Sequence, residues 1–171
     1  MYGVGGAGCN AVGRLDAEGL FENSFVTGYA INTDAQALLM SPLEHKVLIG
    51  RTARGRGAGG DPTKGEAAAL ESEMALRGIT TDTQLAIIAA GMGGGSGTGA
   101  AGHIARLAKE QGAMTIAVVT YPFQSEGATR RENAEWGLER LREHCDTILV
   151  IPNERLLEIE GVKDLPLASA F

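Results

Sequence analysis

The chain has 171 residues, 44% of them hydrophobic and 21% charged, with a formal net charge of −6 and a pI near 5.1. These values fit a globular domain large enough to bury a core, and they exclude nucleic acid or an anionic membrane as the main partner. No apolar run approaches the roughly 18 residues of a membrane span, and the N-terminus lacks a basic-then-apolar leader, so a cytoplasmic protein without direct membrane insertion is expected.

Only Met1, Tyr2, Gly3 and Val4 precede the first turn. A buried strand of about five residues opens a sheet of this kind, so the first strand is expected to be mostly missing. The cluster Gly3-Val-Gly-Gly-Ala-Gly8 follows, then a helix over 10–20 and a strand over 26–31. A strand over 47–49 leads into a second glycine cluster, 50–60. The next helix spans 62–77, with Asp61 as N-cap, Pro62 at its first position and Ala67, Leu70 and Met74 at core-facing spacing. A strand over 85–90 runs into the third cluster, 91–99. The helix over 98–111 carries Ile104, Leu107 and Ala108 on one face; the one over 129–144, after the strand 114–120, carries Ala134, Leu138 and Leu141. A strand over 147–151 and a short helix over 154–160 follow, and the apolar residues 165–171 read as the entrance to a further buried helix.

Short β-branched runs alternating with helices specify an α/β fold: a three-layer, Rossmann-like, mostly parallel sheet with helices on both faces. Residues 1–171 are expected to form a single domain shortened at both ends, without repeat or linker.

Glycine is about twice its usual share, with 25 residues. The third cluster, Gly-Met-Gly-Gly-Gly-Ser-Gly-Thr-Gly over 91–99, is a phosphate cradle without a lysine. A backbone free of Cβ atoms can wrap an anion closely, and the following helix offers unpaired N–H groups and a positive dipole end. The P-loop pattern G-x-x-x-x-G-K-[ST] is absent, so main-chain amides, with the hydroxyls of Ser96 and Thr98, must hold the charge.

Cys9 and Cys145 lack metal-like neighbours. Cys9 lies in a glycine turn before a helix, where a thiol pKa can fall, although a small residue filling a tight turn is the commoner reading. His45, His103 and His144 read as solvent- or partner-facing, since none has a companion ligand at metal spacing.

The first cluster satisfies G-x-G-x-x-G and opens a helix, so a dinucleotide-binding oxidoreductase domain is one reading, with Asp34 taking the ribose. A dinucleotide's pyrophosphate is held mainly at one such turn, and here there are two rich glycine loops. A mononucleotide triphosphate fits that pair better.

Six ordered segments carry a resemblance. They are Gly3-Val-Gly-Gly-Ala-Gly-Cys-Asn10, Ile31-Asn-Thr-Asp-Ala-Gln-Ala-Leu38, Arg54-Gly-Arg-Gly-Ala-Gly-Gly60, the loop 91–99, Pro122-Phe-Gln-Ser-Glu-Gly127 and Ile151-Pro-Asn153. Together they resemble the nucleotide-binding segments of FtsZ, the tubulin-like cell-division GTPase family, and the wording Asn133-Ala-Glu-Trp-Gly-Leu138 is closest to archaeal members. The resemblance covers nearly the whole chain but only the family's N-terminal nucleotide-binding domain; its long central helix and C-terminal domain lie outside.

The resemblance implies that Gly5, Gly6, Ala7, Gly8, Cys9 and Asn10 form the first phosphate and base loop, and that Gly94, Gly95, Ser96, Gly97 and Thr98 hold the phosphates. Asp34 and the loop with Ala58, Gly59 and Gly60 would lie near the metal and terminal phosphate. Glu126 and Arg130 match a ribose-contacting pair and Asn153 a residue beside guanine. Each has a plainer reading: Glu126 and Arg130 as an exposed i,i+4 salt pair, Asn153 and Asp34 as helix caps.

The implied activity is GTP hydrolysis in filaments that form the division ring, with GTP/GDP and Mg2+ as ligands. Head-to-tail self-association and contacts to other division proteins through the C-terminal part are implied as well. The family's catalytic acidic residues act from the adjacent subunit and lie beyond this chain, so no catalytic residue is assigned and the chain alone is expected to be inactive. A chain that merely caps filaments is a further alternative. Gly102-His103 departs from the family's proline and aliphatic residue; glycine there costs up to about 1 kcal/mol of helix preference and is expected to loosen the helix facing the phosphates. Asp61 replaces the commoner asparagine, its negative charge favoured by the helix dipole but disfavoured by a nearby phosphate.

Overall fold

The computed structural model describes residues 1–22 and 25–158. Its centre is a six-stranded, all-parallel sheet in the order β3-β2-β1-β4-β5-β6. The strands are β1 Tyr2–Val4, β2 Tyr29–Asn32, β3 His45–Leu48, β4 Leu85–Gly91, β5 Met114–Tyr121 and β6 Thr147–Pro152. The helices are α1 Gly5–Ala17, α2 Ala35–Met40, α3 Pro62–Glu71, α4 Glu73–Thr80, α5 Ser96–Glu110 and α6 Ala128–His144. Although only three residues long, β1 pairs on both sides, with Val4 in register with Ile31 of β2 and Ala90 of β4.

Alternation along the strands divides the core between the two faces. Ala30 and Ala89 pack with Cys9 and Val12 of α1 and Leu38 of α2. Their neighbours Ile31, Ile88 and Ala90 face the other way, with Val119, against Ala69, Leu76, Ile104 and Leu141 of α3 to α6. The expected three layers are present, and Ile104, Leu107, Ala108, Ala134, Leu138 and Leu141 are all buried.

Four expectations are corrected. Helix α1 starts at Gly5, inside the glycine cluster, because close packing there outweighs glycine's poor helix preference: a Cβ on Gly8 would lie 2.1 Å from the Ala89 carbonyl oxygen. The helix expected over 62–77 is two helices meeting at Ser72, whose hydroxyl accepts from the Gly50 N–H at 2.9 Å. Its inward face is also different, with Leu70 53% and Met74 91% exposed, while Gly65, Ala68 and Ala69 are buried. The reason is the α3–α5 crossing, which admits only small residues: a Cβ on Gly65 would sit 2.2 Å from the Gly95 carbonyl oxygen.

The last correction concerns strand β2. The strand begins at Tyr29, not residue 26. The short helix expected over 154–160 is a 3-10 helix, Asn153–Glu158, with 159–160 outside the described residues. Residues 159–171, including the apolar stretch 165–171, lie outside the described residues. Among the described residues no helix is long and apolar enough to cross a membrane.

Candidate functional site

The strand order reverses between β1 and β4, and a parallel sheet opens a crevice at the carboxyl ends of such neighbours. A cavity of about 710 Å³ lies there, within the usual size range for small-molecule sites. Val4 of β1 and Gly5, Gly6, Ala7, Asn10, Ala11 and Arg14 of α1 line one wall. Gly91, Met92, Gly94, Gly95, Ser96 and Gly97 line the opposite one, with Thr120, Pro122, Glu126, Arg130 and Asn153 closing the side.

Two helices aim their N-termini into this space. Neither the N-cap of α1, Val4, nor that of α5, Gly95, makes a side-chain cap hydrogen bond, and neither first turn holds an acidic residue. Both leave first-turn N–H groups and positive dipole ends available to an anion. Glycines bring the loops together. Gly5 has a positive φ of 70°, and a Cβ there would lie 2.6 Å from the Gly97 nitrogen. A Cβ on Gly95 would lie 2.7 Å from that of Ala58, so the 57–60 loop packs against the same cradle. At Gly6 and Gly94, by contrast, an added Cβ meets nothing within 4 Å.

Several expected site residues stand behind the cavity wall. Gly8 and Cys9 are buried on the sheet-facing side of α1, and Cys9 Sγ donates to the carbonyls of Gly3 and Ile31. Burial pushes its thiol up to about 11, opposite to activation by a helix N-terminus. The Thr98 side chain is buried and its hydroxyl accepts from the Gly93 N–H at 2.9 Å, so it braces the glycine loop from within. Asp34 caps α2, accepting from the N–H groups of Gln36 and Ala37, and does not line the cavity. Ala58, Gly59 and Gly60 also lie off the wall, although the Gly60 carbonyl accepts from Asn133 Nδ2 at 3.0 Å.

Glu126 and Arg130 form an ion pair at 2.9 Å and both face the cavity, so the salt-pair reading and the site reading describe the same side chains. The second Glu126 oxygen accepts from the Phe123 N–H, which fixes the carboxylate at the entry to α6. Asn153 is 9% exposed, and its Oδ1 is the one buried side-chain polar atom without a partner among the described residues. Such an orphan acceptor is costly, and the residue that carries it lines the cavity. The Asp61 carboxylate accepts from the hydroxyl and N–H of Thr63, bonds that hold its pKa below the usual carboxylate range.

Sequence reasoning missed Arg14 and Asn133. Arg14 lies four residues after Asn10 on the same face of α1, a signal that helical spacing carried. Asn133 had no local signal, since its partners Gly60 and Gly93 are remote in the chain.

His103 is corrected: its side chain is 6% exposed and lies 3.4 Å from Glu73 and beside Arg106, joining α4 to α5. Helix α5 runs unbroken past Gly102, where an added Cβ would meet that of Arg140 at 3.0 Å, so glycine here permits a close approach of α6.

The family model described as "Tubulin/FtsZ family, GTPase domain" matches residues 1–161. Cell division protein FtsZ 1 of Archaeoglobus fulgidus is 49% identical over all of this chain and 45% of its own length. The protein of the same name from Methanocaldococcus jannaschii is also 49% identical, with 46% of its length covered. The chain thus spans less than half of these curated relatives. Among solved structures, the empty FtsZ dimer of M. jannaschii superposes with a TM-score of 0.92 at 47% identity, covering 99% of this chain and 48% of that one. CetZ2 from Haloferax volcanii, a GTPγS-bound protofilament, gives 0.83 at 28% identity, covering 99% and 52%. With its six parallel strands, its paired glycine loops and a family match running through β6, the chain belongs to the tubulin/FtsZ family, whose GTPase domain it matches.

Proposed function

We propose that residues 1–171 act as one nucleotide-binding domain that holds GTP or GDP in the cavity between α1 and the 91–99 loop, as part of a filament-forming cell-division GTPase. The observation that carries this reading is the convergence of two uncapped, glycine-rich helix N-termini on one cavity. In a chain of net charge −6 the phosphates need local stabilisation, which oriented main-chain N–H groups and helix dipoles supply.

The amides of Gly94, Gly95, Ser96 and Gly97 face the phosphates, with Gly6 and Ala7 opposite. Arg130 and Glu126 hold the ribose, and Arg14 adds a positive charge to the α1 wall. Asn153, which lines the same side of the cavity, stands beside the base. Gly8, Cys9, Thr98 and Asp34 shape the loops from behind, and Ala58, Gly59 and Gly60 approach the terminal phosphate.

Among the described residues no group of three or more His, Cys, Asp or Glu side chains is placed to hold a metal. In this reading Mg2+ is carried by the phosphates and water, the manner in which this ion commonly binds beside nucleotides. Its chemistry is charge neutralisation on the phosphate oxygens.

Self-association is supported by the solved dimer and protofilament of the relatives. Hydrolysis by the chain alone is negligible in this reading, because the acid that orients water comes from an adjacent subunit. Other division proteins as partners, and a cytoplasmic location, belong to the same proposal. No observation favours the oxidoreductase or the capping alternative.

Titrating the purified chain with GTP, GDP, ATP and NAD by calorimetry tests the reading. Saturable binding of GTP and GDP, with NAD failing to compete, is expected. Capture of NAD with indifference to GTP overturns it.

A further inference from the structure

We propose that Thr33 is a positioning residue for the cradle: its hydroxyl donates to Ser96 Oγ and so reserves the Ser96 proton for an anionic oxygen in the cavity. The inference rests on the nucleotide reading above and assigns a role to a residue outside the cavity wall.

Thr33 is fully buried at the end of β2, and its Oγ1 lies 2.6 Å from Ser96 Oγ, 63 residues away in the chain. Ser96 is the first residue of α5 and lines the cavity. The Thr33 carbonyl accepts from the Gly57 N–H at 3.1 Å, so one residue links the 57–60 loop, the sheet and the cradle. Among the described residues Ser96 is the only partner of the Thr33 hydroxyl.

Each hydroxyl has one proton, and geometry allows either to donate. If Ser96 donates to Thr33, its lone pairs face the cavity and repel a phosphate oxygen. If Thr33 donates, Ser96 donates onward, and the two bonds polarise one another in the same direction. An anion in the cavity therefore selects the second arrangement. The buried Thr33 hydroxyl is satisfied in it without taking the Ser96 proton.

The test is a binding cycle on the 171-residue chain with Thr33→Val, Ser96→Ala, their combination and Thr33→Ser, titrated with GTP and with guanosine, which lacks phosphate. Thr33→Val is expected to weaken GTP about fivefold, the worth of one hydrogen bond, and to leave guanosine unchanged. Thr33→Ser restores GTP affinity, and Thr33→Val adds nothing once Ser96 is alanine. Equal GTP affinity for wild type and Thr33→Val, or losses that multiply in the double variant, overturns the proposal while the nucleotide reading stands. A wild-type chain that binds no GTP overturns both. Should Thr33→Val fail to fold by circular dichroism, the cycle is read with Thr33→Ala under the same criteria.

Discussion

Asn133 Nδ2 donates to the Gly60 carbonyl at 3.0 Å and approaches that of Gly93 at 3.4 Å. One α6 side chain thereby joins two glycine loops that the sequence places far apart. Asn133 does not line the cavity, so its effect on a ligand passes through the loops it holds.

Replacing Asn133 by alanine is expected to release the 57–60 loop. The net worth of such a bond is about 1 kcal/mol, a factor of about five in affinity. In the proposed site the loss falls on GTP more than on GDP, because that loop approaches the terminal phosphate. Comparing the two dissociation constants checks this, and equal losses for both count against it.

Gly94→Ala and Gly97→Ala should part company. A Cβ on Gly94 enters open cavity, so the protein folds with an unchanged melting temperature and loses nucleotide affinity. On Gly97 it would lie 2.9 Å from the Val4 carbonyl oxygen and 3.1 Å from that of Gly91, an overpacking worth about 1–3 kcal/mol of stability. Thermal melts beside binding titrations separate the two effects.

His103 links stability to pH. Burial, followed by the neighbouring Arg106, lowers its pKa below the ordinary value of 6.5, although Glu73, Glu110 and Glu66 pull the other way. The unfolded chain then binds the proton more readily, so this contribution is complete above pH 6.5 and is lost as pH falls through the folded value. Melting temperature should drop between pH 7.5 and 5.5, roughly one unit either side of a histidine's ordinary pKa, and drop less in His103→Leu. Parallel profiles for the two proteins would contradict this assignment.

Cys9 has a thiol raised to about 11 by burial, from an ordinary value of 9.0. A shift of that size lowers the thiolate fraction near neutral pH by about a hundredfold, and the thiolate is the reactive form. Iodoacetamide at about pH 8, below an ordinary thiol pKa, should label Cys9 slowly in the folded chain and rapidly after denaturation. The linked stability is complete below pH 9 and declines as pH rises through 11, because the unfolded thiol ionises first. Fast labelling of the folded protein would return Cys9 to the exposed face of the glycine turn.

The amino-acid sequence by itself determined the alternation of strands and helices, because period-2 and period-3.6 apolar patterns are local. It located the three glycine clusters, the Asp61 cap on α3 and the Glu126–Arg130 pair for the same reason: each needs only neighbours within a turn or two. The inward face of α3 was misread because periodicity favours large apolar residues, whereas a close helix crossing selects small ones such as Gly65 and Ala69. Only the tertiary structure decided that Thr98 braces the loop while Ser96 faces the cavity, that His103 is buried against Glu73, and that Asn133 and Thr33 hold loops remote from them. Those facts depend on which backbone lies opposite a side chain once the sheet is assembled, and residue order alone does not encode that proximity.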